Sequence, residues 1–119
     1  MRIAVTLGNE KGLESDVYPH FGQCTHFLIA EINEGKIADY KVVKNNSTHG
    51  GGCRAVDELL KYNITHIISG GMGMGAQQKF ANAGIKIFGY SGKVKTAIDK
   101  LLKNELSSLD ACDEHSECS

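Results

Sequence analysis

The chain opens on an unbroken apolar and β-branched run, Arg2 to Leu7. Its apolar residues do not alternate with polar ones, which predicts a central strand covered on both faces. A polar loop over residues 8–22 ends in Pro19-His20-Phe21-Gly22. A second strand is predicted near Thr25 to Ile32. Phe27 and Ile29 fall on one side of it and Leu28, Ala30 and Ile32 on the other, so both of its faces should be covered. Asn33-Glu34-Gly35 is a hairpin signal. The third strand, Lys36 to Val43, is more polar. Ala38, Tyr40 and Val42 share one face and Asp39 and Lys41 the other, the pattern of a half-exposed edge.

Residues 44–52 are rich in Asn, Ser, Thr and Gly and read as a loop. Val56, Leu59 and Leu60 then recur at helical spacing, predicting a helix from about Cys53 to Tyr62 with Asn63 as a left-handed stop. A short strand over Thr65 to Ser69 follows. The glycine run Gly70–Gly75 leads into a second helix to about Ala83, ended by Gly84, and strand Ile85 to Phe88 comes next. The third helix takes Ser91 as its N-cap and Val94, Ala97, Ile98, Leu101 and Leu102 as its stripe, running on through Leu106 and Leu109. From Asp110 the tail is polar and acidic, and order without metal is not expected there.

The order is β-β-β-α-β-α-β-α, and its β-α-β crossovers require parallel strands with right-handed connections. The expectation is an α/β fold: one domain over 1–109, with a five-stranded mixed sheet, helices on both faces and a separate tail over 110–119. Strand one should be central and Lys36–Val43 should lie at an edge.

Composition narrows the function classes. A chain of 119 residues is one domain by prior, and it carries 13 Lys+Arg against 14 Asp+Glu for a net charge of −1. No basic excess exists to neutralise phosphates, so no nucleic-acid partner is expected. No apolar run approaches a membrane span, so no membrane partner is expected either. The first residues lack the small-residue cleavage site of a secretory signal, which predicts a cytoplasmic address. Thiols there stay reduced. The four cysteines, Cys24, Cys53, Cys112 and Cys118, then read as metal or cluster chemistry before disulfides.

Three motifs carry that chemistry. His20-Phe21-Gly22-Gln23-Cys24 sets an imidazole and a thiol four residues apart at a strand entrance, and both are ligands for zinc, iron and iron–sulfur units. Taken alone, Cys24 also fits a small buried hydrophobe, and His26 and His66 fit packing or surface positions. His49-Gly50-Gly51-Gly52-Cys53 repeats the spacing at a helix start, where backbone N–H groups bind anions and the helix dipole favours a thiolate. Where this loop lies relative to the parallel strand ends is left open by the sequence. Gly70-Gly71-Met72-Gly73-Met74-Gly75 joins a strand to a helix but fails the dinucleotide fingerprint, and no acidic residue ends the next strand. It could offer bare backbone to a polyanionic or sulfide-rich ligand; equally, it could be a tight turn with core methionines. The tail adds Cys112, His115 and Cys118, a weaker metal set that needs a fourth ligand and would suit zinc.

Glu14-Ser15-x-Val17, His20-Phe21-Gly22, Phe27-Leu28-Ile29, Gly70-Gly71-Met72-Gly73 and Gly84-Ile85 occur in an order that resembles the dinitrogenase iron–molybdenum cofactor biosynthesis family, of the NifX/NifY type and the C-terminal domain of NifB proteins. The likeness spans about residues 3–102, and the tail is not part of it. It implies a ribonuclease-H-like fold and a protein that binds or carries an iron–sulfur or molybdenum-containing cluster or precursor without turning over a substrate. The implied partners are metallocluster donor or acceptor proteins.

The residues that would hold such a cluster are His20, Gly22, Cys24, His49, Gly51, Gly52, Cys53, Gly71, Met72 and Gly73. His20, Cys24, His49 and Cys53 would be the metal ligands. A nuclease of that fold needs clustered carboxylates on strands one and four, and neither Arg2–Leu7 nor Thr65–Ser69 holds one. Two other readings stay open: a thiol-based redox sensor or enzyme using Cys53 with Cys24 as resolving thiol, and a zinc-binding interaction protein.

Overall fold

The computed structural model describes residues 1–45 and 51–106, and of residues 51–53 only the backbone. Five strands form one sheet: β1 (Arg2–Leu7), β2 (His26–Asn33), β3 (Lys36–Lys44), β4 (His66–Ser69) and β5 (Lys86–Gly89). The strand order is β3-β2-β1-β4-β5. β1 pairs antiparallel with β2 and parallel with β4, and β4 pairs parallel with β5. The sheet is therefore mixed, with β1 at its centre and β3 at an edge, as the hydrophobic pattern predicts. Among the described residues, α1 (Gly51–Leu60) and α2 (Met74–Asn82) connect its parallel strands and α3 (Val94–Leu102) follows β5.

The two faces of the sheet carry separate cores. Ala4, Phe27, Ile29 and Ile67 pack against Val56 and Leu59 of α1 and Ala76 and Phe80 of α2. Ile3, Val5, Leu7, Leu28 and Ile68 pack against Val94, Ala97, Ile98 and Leu101 of α3. Alternation within one strand feeds both cores, so β1 and β2 read as continuous apolar runs.

The hairpin between β2 and β3 closes on Glu34 and Gly35, with φ of 53° and 76°. Positive φ at both central residues is the two-residue turn whose twist matches the strands. Beyond it the register breaks. Ile32 faces Ile37 while Glu31 faces Asp39, leaving Ala38 as an extra residue. This bulge corrects the face expected for Ala38: Ile37 joins Val42 on the α3 side, and Ala38 is exposed.

Two helix boundaries also differ from expectation. α3 has Lys93, not Ser91, at its N-cap and no side-chain cap bond there. At its other end Asn104 takes φ 59°. Its amide donates to Leu101 O at 3.0 Å and that of Glu105 donates to Lys100 O at 2.8 Å. That pair of bonds is the Schellman stop, so α3 does not run on through Leu106, and Leu106 folds against the α3-side core instead. Leu109 lies outside the described residues. Asn63 (φ 57°) and Gly84 (φ 78°) adopt the left-handed conformations expected of them.

Candidate functional site

The strand directions gather the chemistry-bearing loops at one edge. Leu7 stands opposite His26, and His26 opposite Lys44, so β3 ends on the same edge as β1, β4 and β5. That is the edge at which the loop after β3 starts. α1, α2 and α3 each begin there; α1 and α2 run back as crossovers to the next strand, and α3 follows the last strand. The positive ends of three helix dipoles therefore face one carboxyl edge, and neither α2 nor α3 is capped by a side chain. Open α/β sheets bind ligands at this edge.

Two loops meet at its centre, and their contact is made by backbone. The Phe21 amide donates to Gly71 O at 3.0 Å, and the Gly70 amide donates to Tyr18 O at 3.0 Å. Residues 70 and 71 have to be glycine for this approach. A Cβ on Gly70 would lie 2.7 Å from Pro19 Cα, and one on Gly71 would lie 2.6 Å from Pro19 O. The Gly70 amide is thus committed to the neighbouring loop. Phe21 anchors the arrangement from below, with its ring centroid 5.8 Å from that of Phe27 and 5.3 Å from that of Phe80.

The expected site residues divide by depth. His20 is exposed at the rim, with its ring edge-on to Tyr18 at 6.4 Å. Gly22 and Gly73 are buried beside it and Gly71 is half-buried. Met72 is 2% exposed and belongs to the core on the α1/α2 side. Cys24 is fully buried. Its thiol donates to Phe21 O at 3.2 Å. Burial pushes that thiol up from 9.0 to about 12, against the smaller opposing pull of the Asn45 carboxamide. At neutral pH it is a protonated, packed side chain beneath the site.

Asn45, itself buried, holds this corner together. Its Nδ2 donates to Cys24 O at 2.8 Å and its amide donates to Thr25 O at 2.9 Å. α1 packs on the turn Phe21–Gln23 and on α2. The backbone of Gly51, Gly52 and Cys53 forms the first turn of α1. His49, Cys112, His115 and Cys118 lie outside the described residues, as does the side chain of Cys53.

Two histidines sit apart from the junction. His26 is half-buried, with Nε2 3.4 Å from Glu10 Oε1. His66, at the amino end of β4, stacks on Phe88 with centroids 6.0 Å apart.

One methionine of the glycine run stands outside the expected cluster-holding set. Met74 opens α2 at the carboxyl edge and is 42% exposed. The available signal was its position: of the two methionines in the glycine run it is the one inside the helix, where a first-turn side chain can face out. Among the described residues no three His, Cys, Asp or Glu side chains come together as a metal site. No helix among them is long and apolar enough to cross a membrane.

A sequence model described as dinitrogenase iron-molybdenum cofactor matches residues 1–104. An uncharacterized protein of Methanocaldococcus jannaschii is 29% identical over 106 residues, covering 87% of this chain and 83% of that one. Among solved structures, the apo form of the orange protein from Desulfovibrio gigas superposes with a TM-score of 0.79 at 28% identity, covering 92% of this chain and 93% of that one. A candidate NifB protein from Thermotoga superposes with a TM-score of 0.75 at 26% identity, over 90% and 91% of the two chains.

Proposed function

From the premise that the chain belongs to the dinitrogenase iron–molybdenum cofactor family, we propose that it is a non-catalytic cytoplasmic carrier of a preformed metal–sulfur cluster, of the iron–sulfur or molybdenum–iron–sulfur type. The observation that carries this reading is the carboxyl edge itself. Three helix N-termini face it, and two loops are locked together at its centre by backbone bonds. A metal–sulfur cluster is a soft anion, and such an edge is polarised for anions.

The donor set fits an arriving cluster better than one assembled in place. Building a cluster takes several thiolates. Among the described residues the edge offers one exposed imidazole, His20, and one exposed thioether, Met74. Few ligands and much backbone give a grip that can be released, which a carrier needs. Cys53 remains a candidate ligand because α1 starts on this edge, and His49, outside the described residues, remains one by its spacing in the sequence. The orange protein's structure is that of an apo form, a term for a protein that also exists with a bound group. The partners of this reading are proteins that donate or accept the cluster.

The ribonuclease-H-like reading of the fold belongs to the same proposal and is supported by the order β3-β2-β1-β4-β5 with β2 antiparallel to both neighbours. Nuclease chemistry is not supported: β1 and β4 carry no carboxylate. A redox pair that uses Cys24 is disfavoured by its raised, buried thiol.

The test is anaerobic incubation of the full chain with a preformed, thiolate-ligated iron–sulfur cluster, and separately with a preformed molybdenum–iron–sulfur cluster, followed by desalting, visible absorption and metal analysis. Uptake of a coloured cluster that falls several-fold in His20→Ala, at unchanged melting temperature, is the expected result. No uptake under either condition would overturn the carrier reading.

A further inference from the structure

Beneath the junction of the two loops lie two buried hydroxyls, Thr6 at the end of β1 and Ser69 at the end of β4, both fully buried. Thr6 Oγ1 donates to Tyr18 O at 3.0 Å and Ser69 Oγ donates to Gly71 O at 2.9 Å. These are the same two carbonyls that receive the amides of Gly70 and Phe21. A carbonyl oxygen has two lone pairs, so each of these oxygens is filled twice, once from the opposing loop and once from a central strand.

The proton inventory is closed. Each hydroxyl has one hydrogen, and each gives it to one carbonyl. The 3.4 Å approach of Thr6 Oγ1 to Ser69 Oγ therefore carries no hydrogen of its own. Ser69 Oγ also lies 3.4 Å from the Gly71 amide, where it can only accept.

We propose that Thr6 and Ser69 are positioning residues of the carboxyl-edge site. They turn the Tyr18 and Gly71 carbonyl oxygens toward the strands and so keep two negative dipole ends away from the bound anion. A peptide is planar, so fixing the oxygen fixes the whole plane. Without the hydroxyls, each oxygen would retain a single donor on the opposing loop and could swing toward the edge. The inference rests on the carrier reading for the identity of the anion, but not for the positioning itself.

The experiment is amide hydrogen exchange on the full chain, in Thr6→Val, Thr6→Ser and Ser69→Ala. Thr6→Val keeps shape and loses the hydroxyl; Thr6→Ser restores it. Exchange of the Gly70 amide, bonded to Tyr18 O, is expected to quicken at least tenfold in Thr6→Val and to return toward wild type in Thr6→Ser, and exchange of the Phe21 amide, bonded to Gly71 O, to quicken at least tenfold in Ser69→Ala. The amides of Val94 and Ile32, bonded to Ser15 O and Met1 O, should stay unchanged. Equal quickening at all four amides, or none, would overturn the proposal, since either leaves the hydroxyls without a local role. If Thr6→Val does not fold, Ser69→Ala decides alone. Uptake of the preformed clusters is read on the same variants. A wild type that takes up no cluster sinks the carrier reading while the exchange result still decides the positioning.

Discussion

Gly71 stands so close to Pro19 that the space for a side chain is already taken: a Cβ on Gly71 would lie 2.6 Å from the proline carbonyl oxygen. The obstacle is backbone and cannot rotate away. Gly71→Ala is expected to lose roughly 1–3 kcal/mol, which lowers Tm by about 4 °C per kcal/mol in a chain of this size. Gly84→Ala is the control. Its φ is +78° but nothing lies within 4 Å of the added Cβ, so it should lose about 1–2 kcal/mol by strain alone. Thermal melts compare the two, and cluster uptake should fall only in Gly71→Ala.

The buried thiol of Cys24 makes an alkaline prediction. Its folded value is pushed up from 9.0 to about 12, so the folded state holds the proton more tightly than the unfolded chain. The associated stability is fully present below pH 9.0 and is lost as pH rises from there toward 12. Cys24→Ala should flatten this decline, seen as a smaller fall in Tm between neutral pH and pH 10.5. In the folded wild type at pH 7, a maleimide should leave Cys24 unmodified until the protein is unfolded.

His66 makes the opposite, acid prediction. Burial, then the nearby Lys86 charge and the chain's amino terminus, lower its value from 6.5. A lowered value means that the folded state favours the neutral ring. The associated stability is present above pH 6.5 and is lost as pH falls below it. His66→Gln should lose less Tm than wild type between pH 7 and pH 5, and a proton NMR titration of the ring should show a midpoint below that of an exposed histidine.

Glu34 breaks a local rule, and the rule suggests a repair. It takes φ 53° in the hairpin turn, ahead of Gly35. Asparagine tolerates that conformation and Asn-Gly is the preferred pair for such turns. Glu34→Asn is expected to stabilise the protein by about 1 kcal/mol, measured as a higher midpoint in urea at unchanged slope.

The fold was legible because its signals are local and repeated. β1 and β2 announce a two-faced burial through unbroken apolar runs, and Asn63, Gly84 and the Glu34-Gly35 turn declare their own backbone shapes. The bulge at Ala38 was not legible: one extra residue in an alternating strand leaves no mark on composition. Nor was the stop at Asn104, because Leu106 and Leu109 continue the apparent stripe. At the candidate site, His20 and the glycine run both fall at the carboxyl edge. Their spacing does not separate the exposed His20 from the buried Cys24 four residues on. A 3-10 turn over Phe21–Gln23 stands between them and sends the two side chains to different depths. The sequence suggests bare backbone for a ligand at Gly70 and Gly71, whereas the structure uses both to let two loops touch.

The bulge at Ala38 also bears on how the protein can meet another. β3 is a nine-residue strand with one unpaired side, long enough to template a foreign strand. The extra residue kinks that border, and Lys36, Lys41 and Lys44 stud it with charge. Such a margin discourages accretion of further chains onto the sheet. On the proposed carrier reading this matters: docking through the rim of loops can be reversed, whereas a shared sheet would hold two proteins together.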